Sequence, residues 1–187
     1  EMLRSERGAA ANTLDAYRRD LSARLDPTAS FLQDVYERIS PAKKRIVFAE
    51  GEEEVAIRAA VAFRNGGYGH PILLGREHRI REAMERMGLD GIDDLEFTNA
   101  KISDHNTGYI SFLYKKLQRR GVLERDCQRM VNLDRNVFAA CMVANGHADG
   151  LVTGLTRSFR STFEHVTRVI DSSGGKEFTA TSMLISK

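Results

Sequence analysis

Phe138-Ala139-Ala140-Cys141-Met142-Val143-Ala144 is a nearly uninterrupted apolar run, followed directly by Asn145-Gly146-His147-Ala148-Asp149-Gly150-Leu151-Val152-Thr153-Gly154. A helix that is apolar on all sides must be buried. Asn145-Gly146 supplies a C-terminal stop, and Leu151-Val152 entering a glycine-bounded turn is expected to be a buried strand that delivers polar backbone to a cleft. This predicts an α/β layout built around a ligand cleft.

Upstream, the pattern alternates between strands and helices from Lys43 onward. Arg45 to Ala49 is a short β-branched run suited to a parallel strand, and Glu50 to Glu54 then place negative charge at a helix start. Val55, Ala59, Ala62 and Phe63 are expected to face inward until Asn65-Gly66-Gly67 stops that helix. Pro71 to Gly75 predicts the next strand, and Ile80, Ala83, Met84 and Met87 the next helix, closed by Gly88. Leu95-Glu96-Phe97 is a weaker third strand. Tyr109, Phe112, Leu113 and Leu117 define a further helix running into Lys115, Lys116, Arg119, Arg120 and Gly121. Beyond Gly154, Phe159, Phe163, Val166 and Ile170 mark another helix, and Phe178 to Ser186 has the composition of a strand. A strand at Ile185-Ser186-Lys187 would lack a neighbour to satisfy its backbone, so a truncated chain is expected.

The first forty residues differ in character. Thr13 is placed to cap a helix carrying Leu14, Tyr17, Leu21 and Leu25 that stops at Asp26-Pro27. Phe31, Leu32, Val35, Tyr36 and Ile39 give a second short helix ending at Ser40-Pro41, and the pair has the form of a linker that docks on a neighbour. The expected organisation is therefore a helical linker over 1–40, a first α/β subdomain over 41–150 and the start of a second over 151–187.

The 187 residues, 42% hydrophobic and 29% charged, suffice for a real core. No apolar run approaches the roughly 20 residues of a membrane span, and the start lacks a signal-peptide core, so no membrane association and a cytoplasmic setting are expected. Cys127 and Cys141 sit among apolar neighbours, which predicts reduced, structural thiols. A net charge of +2 is too small to imply nucleic acid as a partner. The histidines His70, His78, His105, His147 and His165 show no metal-ligand spacing and no paired nucleophile, so neither a metal site nor catalytic residues are expected. No Gly-x-Gly-x-x-Gly follows a strand, which argues against nicotinamide binding by this segment.

Four stretches, in this order, resemble the phosphate acetyl/butyryltransferase family: Arg45 to Glu52, Pro71 to Gly75, Arg120-Gly121-Val122 and Ala148 to Gly154. Asp15 to Arg18, Arg24 to Thr28, Val169-Ile170-Asp171 and Ser182 to Ile185 look like the carboxy-terminal domain that bacterial NADP-dependent malic enzymes carry within that family. The resemblance implies a layered αβα fold with a mainly parallel sheet, of the phosphotransacetylase and isocitrate dehydrogenase type, truncated in its second subdomain. It also implies a non-catalytic regulatory and oligomerisation domain that binds acetyl-CoA as inhibitor of a preceding malic-enzyme catalytic domain, with a homo-oligomer as the assembly. NADP and a divalent metal are expected only in that catalytic domain, and no cofactor here. The alternative is an active phosphate acetyltransferase moving acetyl between coenzyme A and phosphate. A purely structural dimerisation module is a third possibility.

The family's Thr-Leu-Arg-Pro turn carries an arginine for the anionic group, and an ungapped alignment puts Glu164 in its place, where a carboxylate repels an anionic substrate. Thr153, Gly154, Thr156, Arg157 and Ser158 combine hydroxyls, a glycine and an arginine just after a strand, which suits an anion at a helix start. The family resemblance adds Arg119 or Arg120, beside Lys115 and Lys116, as contacts to coenzyme A phosphates. A basic helix end also complements the helix dipole, and both roles stay open. Glu50 to Glu53 resembles the family signature at the end of the first strand, with a structural role favoured.

Overall fold

The computed structural model describes residues 32, 35–39, 41–89, 91–172 and 178. The chain forms two compact units, Lys43–Phe178 and a second made of Glu1–Ala42 with Thr179–Lys187. In the second unit residues 35–39 are helical, as Val35, Tyr36 and Ile39 predict, and the Ala42 N–H donates to the Ile39 carbonyl at 3.2 Å. The helix expected over 13–25 and the strand expected over Phe178 to Ser186 lie outside the described residues, apart from Phe178 itself.

The Lys43–Phe178 unit is built on four parallel strands, β1 (Lys44–Phe48), β2 (Gly69–Leu74), β3 (Glu96–Thr98) and β4 (Gly150–Val152), in the order β3-β2-β1-β4. Six helices accompany them: α1 (Glu54–Asn65), α2 (Glu77–Met87), α3 (Asn106–Leu117), α4 (Glu124–Leu133), α5 (Arg135–Ala144) and α6 (Phe159–Val169). Alternate strand residues face opposite ways. Phe48 and Leu73 pack with Ile57, Ala60, Val61, Ile80 and Met84 of α1 and α2. Val47, Ala49, Ile72 and Leu74 pack with Tyr109, Leu113, Cys127, Val131, Phe138 and Cys141 of α3, α4 and α5. The sheet is thus covered on both faces, the layered αβα arrangement expected from the resemblance. The boundary expected between residues 150 and 151 falls inside β4, whose strand pairs with β1 in this one unit.

The apolar run from Phe138 to Ala144 is helical and largely buried, as expected. Residues Asn136 to Met142 of α5 are all buried, Asn145 ends the helix, and Gly146 takes φ 76°. Cys127 and Cys141 are buried free thiols, and burial pushes Cys141 up to about 12. β4 is less buried than expected: Val152 is 48% exposed, because β1 is its one partner among the described strands.

The helix α1 turns a different face inward than predicted. In α1 the buried stripe is Ala56, Ile57, Ala60 and Val61, whereas Val55 is 63% exposed and Ala59 and Ala62 are exposed too. Nearly every residue from Val55 to Phe63 is apolar, so spacing alone permits either stripe. Arg58 decides it, since it shares the i, i+3, i+4 face with Val55 and Ala62 and takes that face to water. In α6 the buried residues are Thr162 and Val169, and Phe159 and Phe163 stack on each other, partly or largely exposed, with ring centroids 5.6 Å apart. The acidic start expected for α1 also shrinks to Glu54, because Glu50 is buried and Glu52 is held by Arg76.

Gly51 sets the distance between β1 and β2 at their carboxyl ends. Its N–H donates to the Leu74 carbonyl at 3.2 Å, and a Cβ there would lie 2.8 Å from the Leu74 nitrogen, against backbone that cannot swing away. Gly108, inside α3, has open space around it. Gly51→Ala is therefore expected to lower stability by about 2–3 kcal/mol through overpacking, whereas Gly108→Ala should raise it by about 0.5–1 kcal/mol. Urea denaturation of the two variants checks both signs.

Candidate anion cleft at the sheet's switch point

The chain leaves β1 toward β2 and β3 on one side and returns to place β4 on the other, so the direction of strand addition reverses between β1 and β4. In open parallel sheets the crevice at the carboxyl ends of two such strands is the usual ligand position. Glu50 follows β1 into that crevice and is only 2% exposed. Its carboxylate accepts the N–H groups of Gly154 at 3.0 Å, Leu155 at 2.6 Å and Thr156 at 2.7 Å, and also the Thr156 hydroxyl. Gly154 sits at φ 113°, a region that favours glycine, and this lets consecutive N–H groups converge on one point.

Such convergence makes an anion nest. The nest expected to take a ligand's phosphate is filled by the protein's own carboxylate. Burial pushes the Glu50 carboxyl up, but the Thr156 hydroxyl and the three backbone donors outweigh it, and the group ends below the ordinary carboxylate range.

A second latch lies beside it. Asp134 caps α5, its Oδ1 accepting from the Asn136 N–H at 2.9 Å and the Val137 N–H at 3.1 Å. Its Oδ2 accepts from Arg157 Nη1 at 2.6 Å and lies 2.9 Å from His165 Nδ1. Burial raises the Asp134 carboxyl, while Arg157, the Val137 N–H and His165 pull it down further, so the net shift is downward. Thr153 donates to the buried Asn136 at 2.7 Å, and the Ser158 hydroxyl accepts from the Ser161 N–H at 3.4 Å as the cap of α6. Thr153, Gly154, Thr156, Arg157 and Ser158, expected as an anion site, stand together at this turn with their polar groups bonded to the protein itself.

Lys115, Lys116, Arg119 and Arg120 stand elsewhere. Lys116 Nζ donates to the Val169 carbonyl at 2.7 Å and pairs with Asp171 at 2.5 Å, at the far end of α6 from Arg157. An 11-residue helix separates the two groups by about 16 Å at 1.5 Å per residue. Lys115, Arg119 and Arg120 are exposed, and their side chains have no hydrogen-bond or ion-pair partner among the described residues. Glu164, at the position where the family resemblance places an arginine, faces Arg160 across 3.5 Å on the open side of α6.

Three groups at the cleft escaped sequence reasoning. Asp134 carried a usable signal, a capping residue directly before the apolar run of α5. His165 and Asn136 carried none, since their partners lie across the fold. Among the described residues no three His, Cys, Asp or Glu side chains gather in a way that could hold a metal, and no helix is long and apolar enough to cross a membrane.

Glu50→Gln keeps the size but leaves one oxygen for four donors. It is expected to lower stability by about 2–3 kcal/mol at neutral pH, the cost of unsatisfied buried donors. Because the folded-state pKa of Glu50 is depressed, its contribution is present above the ordinary carboxylate range and is lost as pH falls through the folded value. The gap between wild type and Glu50→Gln in thermal or urea unfolding should accordingly narrow on acidification.

The model of the family described as phosphate acetyl/butaryl transferase matches residues 30–187. An NADP-dependent malic enzyme of Rhizobium meliloti (strain 1021) is 49% identical over 92% of this chain, which covers 23% of that protein. A probable NADP-dependent malic enzyme of Rickettsia prowazekii (strain Madrid E) is 42% identical over 94% of the chain and is likewise covered over 23% of its length. The chain thus spans about a quarter of the length of these relatives, in their C-terminal part. The EutD phosphotransacetylase from Staphylococcus aureus superposes with a TM-score of 0.72 at 27% identity, covering 80% of this chain and 44% of that one. With a four-stranded parallel sheet, the signature strands in order and a family match running from residue 30 to 187, the chain belongs to the phosphate acetyl/butyryltransferase family.

Proposed function

We propose that this chain is a non-catalytic regulatory and assembly domain of an NADP-dependent malic enzyme and that it binds acetyl-CoA as an inhibitory effector. Glu164 carries the non-catalytic part: a carboxylate paired with Arg160 stands where the transferase resemblance calls for an anion-binding arginine. The malic-enzyme relatives, at 49% and 42% identity, support the parent enzyme, whose reaction is the oxidative decarboxylation of malate. Lys115, Arg119 and Arg120, without side-chain partners among the described residues, supply cations for the ligand's phosphates, whereas Arg157 is committed to Asp134. Self-association belongs to the same proposal, with the exposed Phe159 and Phe163 pair and the edge of β4 that no described strand covers as the surface a second copy would cover.

Regulation requires that the ligand bind one arrangement of the assembly better than another, by about 1–3 kcal/mol for a 5- to 150-fold effect. Calorimetric titration of the chain with acetyl-CoA should give saturable binding that Arg119→Gln with Arg120→Gln weakens about tenfold, or about 1.4 kcal/mol. Incubation with acetyl-CoA and phosphate should yield no acetyl phosphate. Absence of binding removes the effector role, and steady turnover to acetyl phosphate replaces it with the transferase.

A further inference from the structure

The carboxyl ends of β1, β2 and β3 frame a separate cavity of about 230 Å³, lined among others by Glu52, Arg76, Asn99, Lys101, Asn132 and Arg135. These side chains come from five separate segments, the turns after β1, β2 and β3, the end of α4 and the start of α5, so the cavity is a product of the fold and not of one loop.

Its polar groups are arranged almost entirely as donors. Glu52 is the one carboxylate in the lining, and it is saturated: its oxygens accept the Arg76 N–H, Nε and Nη2, each at 2.9 Å, and Arg79 stands 3.5 Å away. The Arg76 hydrogen bonds hold its carboxyl down at about 2, so it stays ionised and neutralises Arg76. Asn99 uses its Oδ1 to accept the Lys101 N–H at 3.1 Å, and Asn132 uses its Oδ1 to accept from Asn106 Nδ2 at 3.1 Å. Both amides are left with their NH₂ groups to give. The side chains of Lys101 and Arg135 have no hydrogen-bond or ion-pair partner among the described residues. Two cations without counter-ions and two amide donors, in a cavity whose only acid is already paired, make a site complementary to negative charge.

We infer that this cavity binds a small, doubly charged oxyanion, a phosphate or a dicarboxylate, held by Lys101 and Arg135 with the amides of Asn99 and Asn132. It is distinct from the Glu50 nest, where the donors are already used, and from the cations at Lys115, Arg119 and Arg120. It does not depend on the acetyl-CoA proposal.

The test is a titration of the 187-residue chain, at constant ionic strength, with inorganic phosphate in one arm and succinate in the other, followed by amide chemical shifts. Saturable shifts at Asn99, Lys101, Asn132 and Arg135 are expected, weakened about tenfold by Lys101→Gln or Arg135→Gln and unchanged by Arg119→Gln with Arg120→Gln. Response to phosphate alone assigns a phosphate group to the ligand, and response to succinate alone assigns a dicarboxylate. No saturable response in either arm, or equal affinity in the Lys101→Gln, Arg135→Gln double variant, overturns the site. Should the double variant fail to fold, Lys101→Gln alone decides, because Lys101 is exposed and its side chain supports no neighbour.

Discussion

The Glu50 carboxylate is the interaction on which the upper edge of the sheet depends. It joins the end of β1 to the Gly154-Leu155-Thr156 turn more than a hundred residues away, across the point where strand order reverses. Moving a charge out of water costs several kcal/mol unless it is fully bonded. Four donors meet that requirement here, so the ionised group belongs to the folded state. With the turn fixed, Ser158 caps α6 and Arg157 reaches Asp134, which in turn caps α5. One buried anion therefore orders the start of two helices.

This arrangement changes what the switch-point crevice can offer a ligand. A nest with free N–H groups attracts phosphate, but a nest already holding a carboxylate offers only its rim. Cations whose side chains have no partner among the described residues stand outside it, among them Lys115 near the end of α3, Arg119 and Arg120 just after it, and Lys101 and Arg135 above β2 and β3. The two anion sites proposed for this domain accordingly lie on the flanks of the usual crevice.

Much of the fold was legible in the sequence because it is written in local patterns. Short β-branched runs, glycine stops at Gly66, Gly88 and Gly146, and the all-apolar α5 predicted the alternating units and the buried helix that the structure contains. The errors arose where local pattern was degenerate. α1 offers two apolar stripes of equal spacing, and the exposed position of Arg58 selects between them only once the sheet is in place. In α6, which local pattern marks only as a helix, Asp134 contacts His165, Lys116 contacts the Val169 carbonyl and Thr162 is buried. α4, with Cys127 and Val131 on its buried side, carries a fainter pattern, because its apolar residues are few and interrupted by charge. At the cleft, the turn residues from Thr153 to Ser158 were recognised as a group, but Glu50 as their partner was not, since the pair is separated by over a hundred residues and no periodicity connects them. The donor-lined cavity at Lys101 and Arg135 was invisible for the same reason.

The most direct test is the titration of the Glu50 carboxyl itself, followed by its side-chain carbonyl carbon resonance in the intact chain. A midpoint below the ordinary carboxylate range, reached together with loss of the Gly154 to Thr156 amide shifts, is what four donors on a buried carboxylate require. A midpoint at or above the ordinary range, with those amide shifts unmoved as the carboxyl is protonated, would contradict the internal-anion account of this cleft.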